Sequence, residues 1–151
     1  MSSFSGIWKK EGGRFQAQDV STETFVLDLE YAPEWSEEGD VIALAYQATV
    51  EYFHFARFVG GKCVRELEYS ADHGWAKVEG EPEPWEASVL ARALERADAY
   101  EGPARAQLEE LARTKRLVAG KSVPLINAQD TALDLMKLYG LAERADGEGE
   151  P

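Results

Sequence analysis

The chain has 151 residues, 44% of them apolar and 11% aromatic, with 28 acidic against 16 basic side chains and a formal charge of −12. That length fits one domain able to bury roughly 70% of its unfolded surface, enough for a core without covalent staples. The charge argues against nucleic acid and against an anionic membrane surface, because both call for clustered Lys and Arg. It favours a basic protein partner, or solubility alone. No apolar run approaches the roughly 18 residues of a membrane span, and the opening MSSFSGIWKKEGG has no hydrophobic signal core, so the cytoplasm is the expected location.

The first half reads as strands. Ser5–Lys10 and Arg14–Gln18 flank Gly12-Gly13, a hairpin signal. Thr24–Tyr31 alternates, with Phe25, Leu27, Leu29 and Tyr31 on one side and Val26, Asp28 and Glu30 on the other, which predicts a half-buried strand. Pro33 and the stretch from Ser36 to Asp40 break it. Val41–Tyr46 and Val50–Val59 follow. The second is apolar on both faces and is expected at the centre of the sheet. Gly60-Gly61 then joins it to Lys62–Tyr69 as a hairpin, and Gly74–Val78 adds a short last strand.

Pro82 and Pro84 end the strands, and the spacing changes to that of helices. Trp85, Val89, Ala93, Ala97 and Tyr100 form one stripe. Pro103 opens a second helix carrying Leu108, Leu111, Lys115 and Val118, with Gly120 as its stop. Asn127 or Asp130 caps a third, carrying Ala132, Leu135, Met136 and Tyr139 and closed by Gly140. The expected fold is α+β: an antiparallel sheet of about five to seven strands, then three helices packed on one face. Residues 1–141 are expected to form a single domain, and 142–151 an acidic disordered tail.

Chemistry-bearing motifs are sparse. The nucleotide loops GxxxxGK[ST] and GxGxxG and the GxSxG elbow are absent, so no cofactor is implied. His54 and His73 sit in no metal-ligand pattern, and the single cysteine, Cys63, is read as a small buried strand residue. Pairing about Gly60-Gly61 places His54 nearer Glu66 or Leu67 than Cys63, which argues against a Cys–His dyad. Glu79, Glu81, Glu83 and Glu86 lie among prolines and read as a solvated acidic connector, or as a surface for a partner's Arg and Lys. Trp35, between Pro33-Glu34 and Ser36-Glu37-Glu38, has the setting of an interface anchor with a charged rim.

The stretch from Phe53 to Glu86 resembles a pattern in uncharacterised bacterial proteins: an aromatic strand, a glycine turn, a VRxL strand and an acidic EGxPxPxE exit. Gly61, Val64, Arg65, Leu67, Glu79, Gly80, Pro82, Pro84 and Glu86 carry it here, and LMKLYGL at 135–141 resembles the final helix of such proteins. The resemblance implies a bacterial, cytoplasmic protein and no particular activity.

Two functional readings follow. In the first, the chain is a non-enzymatic acidic module, of inhibitor, immunity or adaptor type, that captures a basic protein through Trp35, Glu37, Glu38, Glu79, Glu81 and Glu83. In the second, a sensor or enzyme, Tyr52, His54, Arg65 and Tyr69 share a sheet surface that holds a small molecule, with Arg65 gripping a carboxylate or phosphate.

Overall fold

The computed structural model describes residues 3–95, 101–114, 117 and 127–141. Strands β1 (Ser3–Glu11), β2 (Arg14–Ser21), β3 (Val41–Gln47), β4 (Tyr52–Val59), β5 (Lys62–Ser70) and β6 (Gly74–Gly80) form one antiparallel sheet in the order β2-β1-β3-β4-β5-β6. A helical turn, α1 (Ala32–Trp35), precedes β3, and the helices α2 (Glu86–Glu95), α3 (Gly102–Thr114) and α4 (Ala128–Tyr139) follow β6. Both glycine hairpins form as the sequence predicts, with Gly12, Gly13, Gly60 and Gly61 all at positive φ. Asn127 caps α4, its side chain accepting from the Asp130 amide at 2.8 Å, and Gly140 closes it. The expected helix residues Ala97, Tyr100, Lys115, Val118 and Gly120, and the tail from Ala142, lie outside the described residues.

The sheet is covered on both faces, which explains why β4 is apolar on both. On one face Trp8, Leu44, Phe53, Phe55, Leu67, Tyr69 and Trp75 pack against Trp85, Val89 and Leu90 at α2 and against Ala132, Leu135 and Met136 of α4. The third long helix, α3, packs against α2. On the other face Ile7, Val41, Ala43, Ala56 and Phe58 meet Leu27, Leu29, Ala32 and Trp35.

That second cover corrects the expectation of a strand at Thr24–Tyr31. The segment is extended and its alternation is real, with Phe25, Leu27 and Leu29 inward, but it forms no strand. Side chains occupy amides that a sheet ladder would use: Ser21 Oγ, Thr24 Oγ1 and Asp28 Oδ1 each accept from the amide two residues on, at 3.1 Å. Such local bonds compete with strand pairing, so the alternation lays the segment across the sheet face instead of along its edge.

Where β6 ends, Gly80 stands at φ +90°, and a Cβ there would collide with the Val64 carbonyl. Val64 is itself the extra residue of a bulge, since Arg57 opposes Arg65 and Phe58 opposes Cys63. Gly80→Ala is expected to cost at least about 1–3 kcal/mol in urea denaturation, from forced φ and the backbone clash together; unchanged stability would contradict the close approach.

Candidate functional site

The helix-side face carries an ionic cluster at one end. Arg65 and Glu86 are both only 2% exposed, and Arg65 donates from Nε (2.9 Å) and Nη2 to the two carboxylate oxygens of Glu86. Its Nη1 donates to the carbonyls of Gly80 (2.9 Å) and Glu79 (3.3 Å). Glu86 Oε2 also accepts from the Glu83 amide at 2.8 Å. Beside this pair, Arg57 reaches Asp40 (2.8 Å) and Glu83 (3.1 Å), and the Tyr139 hydroxyl donates to Glu83 at 3.1 Å. The Asp40 hydrogen bond leads in raising Arg57 above its ordinary range. Burial, then the charge of Glu83, raises the Tyr139 hydroxyl.

The opposite face carries a second cluster. Tyr52 donates to Glu68 at 2.5 Å, and His54 Nδ1 lies 3.3 Å from the same hydroxyl oxygen. His54 Nε2 is 2.8 Å from Glu66, whose other oxygen accepts from Lys77 at 3.3 Å. Both ring nitrogens of His54 therefore face acceptors. Phe25 covers Tyr52 with ring centroids 5.1 Å apart. Burial, then the Glu68 hydrogen bond, holds the Tyr52 hydroxyl well above its usual range, while the charge of Glu66 raises Lys77.

The residues expected to share a ligand surface are thus divided. Tyr52 and His54 lie on one face, Arg65 and Tyr69 on the other. The register decides this, because His54 opposes Glu68 while Phe53 opposes Tyr69. Arg65 is spent on Glu86 and two carbonyls. Cys63, expected to be buried, is exposed, although its sulfur turns back to the Arg65 carbonyl at 3.5 Å. His73 sits in the turn before β6, as its sequence context suggests. Among the described residues no group of His, Cys, Asp and Glu is placed to hold a metal ion.

The carboxylates of the connector divide too. Glu83 and Glu86 are buried, in contrast to the expected solvated run, whereas Glu79 and Glu81 are exposed. Glu37 and Glu38 are exposed as well, while Trp35 is half-buried on the second core cluster. Ser36 docks this loop on the β4–β5 turn, its Oγ accepting from the Gly61 amide (2.9 Å) and its carbonyl from the Gly60 amide (3.0 Å). The Glu81 amide donates to the Val64 carbonyl at 3.2 Å. Lys9 opposes Val41, Val41 opposes Phe58 and Arg65 opposes Gly80, so Glu37, Glu38, Glu79 and Glu81 lie along one end of the sheet, spread from β1 to β6.

The charged members of the ionic cluster, the β4–β5 hairpin and the acidic exit fall within residues 29–108, which match a family of unknown function (DUF6928) over more than half of the chain. The chain belongs to this family. No curated protein and no solved structure matches it. The DUF6928 span holds α1, β3 to β6 and α2, and with them Asp40, Arg57, Arg65, Glu83 and Glu86; Tyr139 lies beyond it.

Sequence reasoning missed Arg57, Asp40 and Tyr139 as members of the cluster. The signal for Arg57 was its position on a strand apolar on both faces, where a cation needs a partner.

Glu86→Ala strips a buried guanidinium of its counter-charge and is expected to cost about 3–5 kcal/mol in urea denaturation. The paired change Arg65→Met with Glu86→Leu is expected to recover more than half of that. A loss under about 1 kcal/mol for Glu86→Ala would contradict a desolvated pair.

Proposed function

We propose that this protein is a non-enzymatic acidic module that captures a basic protein partner at the sheet end formed by α1 and the β4–β5 turn. The observation that supports this reading is that Glu37, Glu38, Glu79 and Glu81, all exposed, line that one end, on elements far apart in sequence but docked through Ser36 and Val64. On a chain of charge −12 such a concentration of carboxylates attracts a cationic surface from a distance and speeds its encounter. Lys9 pairs with Glu38, whose side chain is 82% exposed, and leaves the other three carboxylates facing solvent. Glu81 keeps further interactions of its own.

The contact set differs from the one the sequence suggests. Glu83 is buried and committed to Arg57 and Tyr139, so it is withdrawn from the surface, and Trp35 is half-buried on the second core cluster. A small-molecule site built on His54 together with Arg65 has no geometric support, since the two lie on opposite faces.

The test is a stoichiometric pull-down from the source cell's lysate at low and high salt, comparing the native chain with the fourfold variant E37K, E38K, E79K and E81K. A control reverses Glu109 and Glu110 on α3, both exposed. The expected result is one basic protein retained by the native chain and the control, released at high salt, and lost by the fourfold variant. Equal capture by all three would contradict the proposal.

A further inference from the structure

A cleft of about 470 Å³ opens between the β1–β2 hairpin and the C-terminal end of α4, on residues that the acidic surface does not use. Phe15, Leu138 and Tyr139 form its apolar part: Phe15 meets Tyr139 edge to face with centroids 6.3 Å apart, and Leu138, 61% exposed, forms a rim. The Tyr139 ring is fixed from behind, stacked on Phe55 at 6.4 Å and tied through its hydroxyl to Glu83. Lys10 and Arg14 also line the cleft. Neither makes an ion pair among the described residues, although Glu11 is the cross-strand neighbour of Arg14. The Lys10 ammonium sits 5.8 Å from the Phe15 ring centroid, over its face.

Two cations that pair with no carboxylate among the described residues are notable on a chain with 28 acidic and 16 basic side chains. Their placement beside the fixed Tyr139 ring sets cationic groups at the edge of an aromatic surface, in a cleft open to solvent and lined by polar and apolar groups alike. We propose that this cleft binds a small organic monoanion with a flat apolar ring, of the aryl carboxylate class. The ring lies against the surface that Tyr139 and Leu138 form beside Phe15, and the carboxylate takes the Arg14 fork and the Lys10 ammonium. A dianion such as phosphate is disfavoured for two reasons: the cleft abuts the partial negative charge at the C-terminal end of α4, and the whole chain is acidic.

The test titrates the isotopically labelled full chain with 2-naphthoate, neutral 2-naphthylmethanol and inorganic phosphate, following backbone amide signals by NMR. The proposal expects saturable naphthoate shifts at Gly13, Gln16 and Gly140, with a Kd below about 1 mM. The alcohol and phosphate are expected to bind at least about tenfold more weakly, as is naphthoate to the K10E/R14E variant, because a charge-assisted bond is worth that much. Both substituted positions are exposed, and the same spectra report whether the variant keeps its fold. No saturable shift up to about 10 mM naphthoate would overturn the proposal. So would equal affinity for phosphate, or equal affinity of the variant for naphthoate. None of these outcomes bears on capture by the acidic end.

Discussion

Arg65 sits on the buried face of β5, in line with Leu67 and Tyr69, and a guanidinium there is tolerable only if its charge is met. Glu86 meets it from the first turn of α2, where the N-terminal end of a helix also favours a carboxylate. Much else follows from this pair. It brings α2 to the sheet at a fixed point and draws the Gly80 and Glu79 carbonyls onto the remaining guanidinium donors. It also anchors the Glu83 amide. Glu83, so placed, reaches Arg57 on β4 and Tyr139 on α4. A connector that is acidic throughout is thereby divided, with two carboxylates buried and holding the sheet to its helices and two at the exposed surface.

The two faces of the sheet are built for different covers. Large aromatic side chains meet the long helices. On the other face Ala43 and Ala56 leave room for an extended segment and one helical turn to lie flat. The same docking, through Ser36, carries Glu37 and Glu38 to the β4–β5 turn. The acidic end is therefore a consequence of how the second face is covered, and it rests on Gly60-Gly61 as much as on the glutamates.

Much of the fold was legible in the sequence because its signals are local. Gly12-Gly13 and Gly60-Gly61 fix two hairpins, and Asn127 and Gly140 bound α4 by side-chain and backbone geometry alone. Thr24–Tyr31 shows where local signals stop: alternation reports that one side is buried and does not say whether a neighbouring strand or a sheet face buries it. The candidate site was less legible. Tyr52, His54, Arg65 and Tyr69 look alike as polar and aromatic groups on adjacent strands, but only the register assigns them to faces. The proximity of His54 to Glu66 was readable, since it follows from counting back from the turn. The burial of Glu83 and Glu86 was not, because it depends on Arg57 and Arg65 pointing at a connector whose composition reads as solvated.

The central claim is that Glu86 is a structural counter-ion to Arg65, buried within a stretch whose composition reads as solvated. The most direct measurement is the exchange of the Arg65 Nε–H with water, followed by NMR on the native chain and assigned by its loss in Arg65→Met. A buried bidentate pair predicts a sharp signal that persists at neutral pH and is unmoved at about 1 M salt, where charges beyond about 3 Å are screened. Exchange as fast as that of the exposed Arg105 and Arg113 side chains would contradict it.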